Sequence, residues 1–374
     1  YYTNLSGSFA SDAAYFLADP DLIGLLAQDV ALGDYDRDND LDLAIAYAVN
    51  TGCDPLYGFN PDRDAIQNAG SLECWSGAAN VILENEGGIL QDTELWRSEA
   101  ANPSTAVAWG DVNADGFLDL VVGNVDGSIE LYFNQDGGMN RDPSCLAERS
   151  ALFGWPGAPK PYYFPDAGDG AALTSLALAD VNQDGYLDAA VGFTYGVNRL
   201  YSFDPGRNCF IRSDWTPDAD PATPETDPDY TYDVAWGDID NDGDLDLAVG
   251  NSADQLVNVA SNRDLVYRNV GGRLENQPYQ AIGWQQAGTG EVYGFPTRAL
   301  AWGDVDGDGD LDLATAAWSA RKLLYRNDGG FLQPSPIWES ADSDLSSDIT
   351  WLDADSDGDL DLAVANVTLF GGGT

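Results

Sequence analysis

The chain of 374 residues contains no histidine and only two lysines, Lys160 and Lys322. The absence of histidine removes the commonest general base and the usual ligand of a catalytic zinc ion. Lys and Arg together number 16 against 63 Asp and Glu, which gives a formal net charge of −47. A chain this acidic repels nucleic acid phosphates and anionic lipids, so neither is an expected partner. No apolar run reaches the ~18 residues of a membrane-spanning helix, so membrane insertion is not expected either.

An acidic nine-residue segment recurs along the chain, and each copy runs into a short apolar stretch. Positions 1, 3, 5 and 9 are always Asp or Asn, position 8 is always Leu, and position 6 is Gly in every copy except the first, which has Asn39. Recurrence of one rule at this spacing indicates a repeat architecture rather than ordinary acidic turns. The six copies begin at Asp34, Asp111, Asp180, Asp238, Asp304 and Asp353.

The side chains of this segment suit a calcium ion, which prefers carboxylate and carbonyl oxygens supplied by a sharply turning loop. Position 6 needs a residue that tolerates a positive φ, which explains Gly or Asn. Position 7 varies, as expected if only its backbone carbonyl binds. We therefore predict about six bound Ca²⁺, with weaker sites where position 3 is Asn. The predicted ligands, with the position-7 residue acting through its carbonyl, are Asp34, Asp36, Asp38, Asp40 and Asp42; Asp111, Asn113, Asp115, Phe117 and Asp119; Asp180, Asn182, Asp184, Tyr186 and Asp188; Asp238, Asp240, Asp242, Asp244 and Asp246; Asp304, Asp306, Asp308, Asp310 and Asp312; and Asp353, Asp355, Asp357, Asp359 and Asp361.

The position-8 leucines should face away from the ion and anchor each loop in the core. They are Leu41, Leu118, Leu187, Leu245, Leu311 and Leu360.

An EF-hand would place its loop between two helices, but these loops lead into runs such as LDLAVG, which are typical of strands. Another strand precedes each loop, and a strand–turn–strand motif such as LLYRNDGGFL (323–332) follows the first five loops. Each repeat then consists of a strand, an acidic loop, a strand, a connection and a hairpin. Four strands per repeat predict an all-β fold, a β-propeller of four-stranded blades.

The combination of WGDxDxDGxLDLAVGN with LYRNDGG resembles the FG-GAP/VCBS repeat, the calcium-bearing blade of integrin α-subunit heads and of many secreted bacterial and archaeal proteins. This resemblance covers nearly the whole chain. It implies calcium bound by positions 1, 3, 5 and 9 and the position-7 carbonyl, with the loops on one rim. The chain departs from integrin heads in having six acidic loops and six repeats, where seven blades are usual.

Six blades are predicted, with seven as the alternative, in a single domain of residues 1–374. The sixth acidic loop lacks a following hairpin, and residues 1–17 supply a matching one, YYTN followed by a Ser-Gly turn. We expect this hairpin to complete the last blade, in the same chain or in a neighbouring copy. The expected blades are 18–100, 101–168, 169–230, 231–290, 291–342, and 343–374 joined by 1–17.

A start at Tyr1 without a signal peptide is typical of a processed secreted chain, so an extracellular setting is expected. Extracellular calcium and cysteines in loop insertions favour disulfides over free thiols. Cys53 and Cys74 bracket one insertion, so disulfides Cys53–Cys74 and Cys145–Cys209 are expected, with four reduced thiols as the alternative. Asn4 and Asn366 begin N-x-Ser/Thr triplets that are candidate glycosylation sites.

The tryptophans fall into two groups. Those that recur just before acidic loops are expected to be core residues rather than sugar-stacking surfaces: Trp109, Trp236, Trp302 and Trp351. Those outside the repeat are candidates for a binding surface: Trp75, Trp155, Trp215 and Trp284.

Three classes of function fit this chain. The favoured one is an extracellular, calcium-stabilised structural or adhesive protein that binds a protein partner or other copies of itself, as in a filament or surface layer. The second is a lectin-like propeller that binds glycans. The third, least favoured, is a polysaccharide-acting enzyme, because no histidine and no GxSxG motif is present and no catalytic residue can be named.

Overall fold

The computed structural model describes residues 26–50, 75–99, 101–136, 138–141, 172–215, 217, 229–252, 263–285 and 292–366. These residues form 25 β-strands and no helix, so the predicted all-β class is confirmed. Accordingly, the described residues contain no helix with the length and apolarity needed to cross a membrane.

The strands of the first three repeats precede residue 213. They are β1 (Leu26–Gly33), β2 (Asp42–Asn50), β3 (Trp75–Gly77), β4 (Val81–Asn85), β5 (Leu90–Arg97), β6 (Ser104–Gly110), β7 (Asp119–Asn124), β8 (Ile129–Asn134), β9 (Met139–Arg141), β10 (Ala172–Ala179), β11 (Asp188–Gly196), β12 (Arg199–Asp204) and β13 (Cys209–Arg212). The later strands are β14 (Asp229–Gly237), β15 (Asp246–Asn251), β16 (Asp264–Tyr267), β17 (Gln280–Ile282), β18 (Trp284–Gln285), β19 (Val292–Tyr293), β20 (Thr297–Gly303), β21 (Asp312–Ala317), β22 (Leu323–Tyr325), β23 (Trp338–Glu339), β24 (Ser346–Leu352) and β25 (Asp361–Asn366).

The strands pair in antiparallel sheets that follow the repeats. The second and fifth repeats form the sheets β6-β7-β8-β9 and β20-β21-β22-β23, and the first forms β1-β2-β4-β5 with β3 added to β2. The third and fourth follow the same order, β10 to β13 and β14 to β17. This is the strand order expected of propeller blades.

The sixth repeat shows only β24 paired with β25. The hairpin predicted to complete it, residues 1–17, lies outside the described residues. The number of blades and their boundaries therefore stay predictions.

The fourth and fifth repeats depart from the predicted hairpins at 265–274 and 323–332. After each Gly-Gly turn the chain makes only one bridge, Asn269 to Leu274 and Asn327 to Leu332. The outer strands β17 and β23 begin further on, beyond Pro278 in one repeat and two prolines in the other. Proline lacks the N–H that a ladder needs, so these prolines delay the outer strand.

The chain divides into two compact units by its internal contacts. The first takes Ala10–Val191 and Leu200–Asp214, and the second takes Gly192–Arg199 and Trp215–Thr374 among its segments. Within the first, buried side chains around Leu120 and Tyr132 pack between the first and second sheets. Within the second, a core around Leu313 and Tyr325 joins the fourth and fifth sheets. The prediction of one propeller domain stays a prediction.

Neighbouring repeats within each unit pack together through a tryptophan of one repeat that lies on a glycine of the preceding repeat. Trp109 lies on Gly33 of the preceding repeat, where a Cβ would come within 2.7 Å of the indole, and its Nε1 donates to the carbonyl of Ala31 at 3.1 Å. Glycine is therefore required at this position to admit the ring. The core role predicted for these tryptophans is confirmed at three of them, because Trp302 lies on Gly237 and Trp351 on Gly303 in the same way.

The predicted anchoring of each loop by the position-8 leucine is wrong for the first and sixth loops, where Leu41 is 51% exposed and Leu360 is 36% exposed. In the third loop, Leu187 is partly buried against a core cluster and also lies against Gly110 of the preceding repeat. Side chains alternate along a strand, so turning the position-9 carboxylate inward turns position 8 away from the repeat's own core. The buried anchor is position 2 instead, filled by Tyr35, Val112, Val181 and Ile239.

A buried carboxylate, Asp264, joins the fourth and fifth repeats. Its Oδ1 accepts the Asn251 N–H at 2.9 Å and its Oδ2 accepts the Thr297 hydroxyl at 2.9 Å. Burial raises the pKa of Asp264 to about 7, although the hydrogen bonds from these two donors lower it. Two other repeats use Asn for the same link, with the amide donating to the hydroxyl: Asn80 to Ser104 and Asn198 to Thr231.

We expect Asp264→Asn to stabilise the protein near pH 8 by about 1–3 kcal/mol. A carboxyl whose pKa is higher in the folded state favours folding at low pH, and that contribution is lost as pH rises from about 4 to about 7. The Asn variant lacks this loss and can keep both hydrogen bonds. Urea unfolding at several pH values in excess calcium measures it. Asp136→Asn, at an exposed position, is the control, and identical pH profiles for wild type and Asp264→Asn would contradict the assignment.

Candidate metal centre

Each acidic segment forms the loop between the first and second strands of its repeat. The loops connect β1 to β2, β6 to β7, β10 to β11, β14 to β15, β20 to β21 and β24 to β25. The inner strands they enter in the second, fourth and fifth repeats are buried along their whole length. The loops are therefore held at the end of the best-packed strand of the sheet.

The position-1 carboxylate organises the turn of each loop. In the second loop Asp111 Oδ1 accepts the Asp115 N–H at 2.9 Å, and its Oδ2 accepts the Gly116 N–H at 2.8 Å. The same pair of bonds occurs at Asp180, Asp238, Asp304 and Asp353. The position-5 carboxylate caps the position-7 N–H in turn, as Asp308 does for Asp310 at 2.9 Å. The chain thus winds around its own carboxylates.

The winding requires left-handed backbone at two positions. Position 6 has a positive φ, from 72° at Asn39 to 96° at Gly358, which confirms the reason given for Gly or Asn there. Position 4 also has a positive φ, although it is not restricted to glycine: Arg37 has 66° and Gln183 has 58°. Because the residue type at position 4 varies, the sequence does not indicate that this position has a positive φ. Non-glycine residues rarely adopt a positive φ, so the hydrogen bonds of the loop must stabilise this conformation at position 4.

The position-9 carboxylate links the loop to the hairpin. In the second repeat Asp119 accepts the Val112 N–H at 3.1 Å and the Asn134 N–H at 2.9 Å. Burial raises the pKa of Asp119 to about 7, and burial raises those of Asp188 and Asp246 to about 6. A charge buried this way needs more compensation than N–H dipoles supply.

Several loop carboxylates converge, and some of their oxygens have no partner. In four loops one oxygen from each of three Asp residues lies within 4.8 Å of the others. Buried and unpartnered oxygens are Asp34 Oδ1, Asp188 Oδ2 and Asp240 Oδ1. Asp188 is only 1% exposed. Clustered anionic oxygens, of which Asp34 Oδ1 and Asp240 Oδ1 have no donor, fit a hard divalent cation. The four groups are Asp34, Asp36 and Asp38; Asp238, Asp240 and Asp246; Asp304, Asp306 and Asp308; and Asp353, Asp355 and Asp357.

The second and third loops carry Asn at position 3. Asn113 Oδ1 accepts the Asp115 N–H at 2.9 Å, while its Nδ2 donates to Asp115 Oδ2 at 3.0 Å. This amide supplies a positive dipole where the other loops have a carboxylate. Weaker cation binding at these two loops stays a prediction.

Position 7 has a side-chain role that sequence reasoning missed. Asp310 Oδ2 accepts the Gly329 N–H at 2.7 Å, which ties the acidic loop to the hairpin turn of its own repeat. Asp40 and Asp244 bind Gly87 and Gly271 in the same way. The signal was present, because Asp occupies position 7 in the three repeats whose hairpin turn reads Asn-x-Gly-Gly. Phe117 and Tyr186 replace it where the turn differs.

Adjacent loops also touch within each unit. Asn241 at position 4 of the fourth loop donates to the Gly309 carbonyl at 3.2 Å and to Asp310 Oδ1 at 2.8 Å in the fifth. In the first unit the guanidinium of Arg37 lies 3.6 Å from the ring centroid of Phe117. Position 4 of one loop therefore contacts position 7 of the next.

The remaining predicted sites are only partly described. Cys209 is 6% exposed and forms a disulfide. Its partner lies outside the described residues, as do all three other cysteines, Cys53, Cys74 and Cys145. Asn366 ends β25, where its Oδ1 accepts the Ser346 hydroxyl at 2.9 Å, and Asn4 lies outside the described residues. The disulfide pairing and glycosylation stay predictions.

The binding-surface role suggested for Trp215 is wrong. It is 4% exposed, packs edge-on against Tyr267 and donates to the Glu275 carbonyl at 3.1 Å. Trp155 lies outside the described residues, as do the side chains of Trp75 and Trp284.

The fold and loops define a repeat protein in which each four-stranded antiparallel sheet carries one acidic loop. The family model for the FG-GAP-like repeat matches residues 111–191, 180–249 and 304–364, together just over half of the chain. The chain belongs to the FG-GAP-like repeat family, as its motifs indicated.

Curated relatives are integrin alpha chains at modest identity. The chain is 26% identical to mouse integrin alpha-3 over 152 residues, which cover 36% of this chain and 13% of that protein. It is 25% identical to integrin alpha-3 of Cricetulus griseus over 186 residues, 46% of this chain and 16% of that protein. It is 29% identical to integrin alpha-6 of Gallus gallus over 162 residues, 40% of this chain and 13% of that protein. The matches thus span less than a fifth of each relative's length.

Among solved structures, a crystal structure of BBS1N in complex with ARL6DN, soaked with lead, matches 91% of this chain and 77% of its own at 11% identity and a TM-score of 0.48. At that TM-score we base no conclusion on the likeness.

Asp38→Ala should remove one bound calcium ion, whereas Asp40→Ala should leave the number of ions unchanged. Asp38 supplies a position-5 carboxylate, but the Asp40 side chain binds the Gly87 N–H and only its carbonyl is a predicted ligand. Losing that bond should cost about 1 kcal/mol of unfolding free energy. Equilibrium dialysis with calcium and urea unfolding measure the two effects. Equal ion loss in both variants would contradict the ligand assignment.

Proposed function

We propose that this protein is an extracellular, calcium-stabilised β-propeller with a structural or adhesive role. The observation that carries the calcium assignment is the pair of buried, unpartnered carboxylate oxygens at Asp34 and Asp240, inside loops whose acids converge. Oxygen-only donors in a tight loop favour calcium over zinc or copper.

The ion would be held by positions 1, 3, 5 and 9 of each loop, with the carbonyl of position 7. It would neutralise carboxylates that otherwise repel one another. Mutual repulsion is visible in the sixth loop, where the neighbouring Asp357 charge raises the pKa of Asp355. The position-9 residues of the first five loops connect this neutralisation to the sheet, because each of them also accepts an N–H of its hairpin. Calcium would therefore stiffen the repeat rather than take part in a reaction.

The adhesive part of the proposal rests on the relatives. Integrin alpha-3 chains match 36% and 46% of this chain. A stiff, acidic propeller is suited to presenting a surface to a protein partner or to further copies of itself. The extracellular setting is supported by millimolar-range calcium outside cells and by the disulfide at Cys209.

We further propose six blades, with the hairpin of residues 1–17 completing the sixth. The inner strand β25 is mostly exposed, unlike β7, β15 and β21. Its position-9 residue, Asp361, accepts the Ala354 N–H at 2.9 Å, and within the described residues no hairpin N–H reaches it. In the fifth repeat, the equivalent Asp312 also accepts the Asn327 N–H at 2.8 Å. The sequence Asn-Leu-Ser-Gly from Asn4 resembles the Asn-x-Gly-Gly turn, with Ser6 in place of the first Gly, and Asn4 would supply this N–H donor.

The calcium proposal predicts about six ions per chain and a large drop in melting temperature on chelation. Without the ions, clustered carboxylates repel and the loops loosen. Native mass spectrometry counts the ions, and calorimetry with and without EDTA measures the shift. Magnesium at equal concentration is the control, since its smaller octahedral shell fits these loops poorly. An unchanged melting temperature in EDTA would refute a structural role for calcium.

The closure proposal predicts that deleting residues 1–16 exposes the edge of β25. If the hairpin closes its own chain, the full-length protein should be monomeric and the truncated protein should bind the free peptide of residues 1–16. If it closes a neighbour, the full-length protein should form polymers that the deletion abolishes. Light scattering and peptide titration separate the two. A truncated protein with unchanged stability, unchanged oligomeric state and no affinity for the peptide would refute closure.

A further inference from the structure

An arginine contacts the fourth acidic loop. Arg268, which comes directly before the hairpin residue Asn269, pairs its Nη2 with Oδ2 of Asp240, the position-3 carboxylate. The Arg268 guanidinium also lies 4.8 Å from the ring centroid of Tyr279, and the Asp240 side chain is only 15% exposed. This ion pair is therefore partly shielded from solvent, where charge pairs interact more strongly than at the surface.

The fifth repeat has an arginine at the same place but uses it differently. Arg326 directly precedes Asn327 and pairs with Asp328, at 2.8 Å from Oδ1 and 3.0 Å from Oδ2. Asp328 is the variable residue of the Asn-x-Gly-Gly turn. The pair is well exposed, with both side chains more than 40% accessible, so solvent screens it.

The difference follows from one position of the turn. In the fourth repeat the variable residue is Val270, which is 56% exposed and offers no charge. Arg268 therefore lacks the local acid that holds Arg326, and it reaches the loop carboxylate instead. The two loops themselves are matched, because positions 1, 3, 5, 7 and 9 are Asp in both.

We propose that Arg268 is a built-in counter-cation of the fourth loop, which competes with calcium for Asp240 and makes this site weaker than the fifth. The inference rests on the calcium function proposed above. In the absence of calcium, the guanidinium offsets part of the charge of the loop and keeps its turn folded. When calcium binds, Asp240 must leave the arginine or be shared with it, so part of the binding free energy is lost.

The direct test is Arg268→Met, which keeps an unbranched, apolar stem beside Tyr279 but removes the guanidinium and its charge. The fourth site should bind calcium about tenfold more tightly, and the metal-free protein should melt at a lower temperature. Arg326→Met is the matched control and should change calcium affinity less than twofold, because its charge is held by Asp328 and screened. Calcium titration against a competing chelator gives the affinities.

Two further variants locate the effect. Adding Asp242→Ala, which removes the position-5 ligand of the fourth loop, should abolish the gain in affinity from Arg268→Met. Val270→Asp supplies the acid found in the fifth repeat and should also tighten the fourth site. The reciprocal Asp328→Val should free Arg326 for Asp306 and weaken the fifth site.

The outcomes separate this inference from the function on which it rests. A wild-type protein that binds no calcium would refute the proposed function. A wild-type protein that binds about six ions, with affinities unchanged by Arg268→Met and Val270→Asp, would overturn the role of Arg268 and leave the proposed function standing. A gain that persists in the Asp242→Ala background would also overturn it, because the change would then lie at another site.

Discussion

The position-9 carboxylate is the interaction on which each repeat depends. In the fifth repeat Asp312 accepts the Val305 N–H from the start of its loop and the Asn327 N–H from its hairpin, at 3.2 and 2.8 Å. It therefore joins three segments that would otherwise be independent. Burial raises its pKa, so the carboxylate is costly unless other groups compensate its charge. This cost links the packing of the sheet to the electrostatics of the loop.

The hairpin asparagine extends this link to the preceding repeat. Asn327 Nδ2 donates to the Ile239 carbonyl at 2.7 Å, and Asn134 makes the same bond to the Tyr35 carbonyl at 2.8 Å. Both acceptors are position-2 residues whose side chains are buried. The hairpin asparagine thus donates its main-chain N–H to the acidic loop of its own repeat and its side-chain N–H to the loop of the preceding repeat. Loops within a unit form a connected row, so a charge placed in one of them affects the next.

Most of the acidic loop could be predicted because its requirements are local. Carboxylates two residues apart, a left-handed residue at position 6 and an entering strand all follow from short-range geometry. The position-8 leucine was misread, since its environment depends on the preceding repeat. Trp215 was also misread, because its isolation from the repeat gave no sign that it packs against Tyr267. The outer strands of the fourth and fifth repeats begin later than predicted, because prolines without an N–H precede them.

The sequence by itself determined the repeat, the all-β class, the family and the acids that line each loop, because these depend on residue types at fixed spacing. Tertiary structure decided which groups of a loop and its own hairpin meet. Asp310 binds the turn at Gly329, and Arg268 reaches Asp240 while Arg326 remains with Asp328. The first two contacts join segments more than 18 residues apart. Which acid the arginine binds also depends on whether the variable residue of the hairpin turn is an acid. No periodicity in the chain encodes them, since they arise only when the hairpin folds back beside its loop.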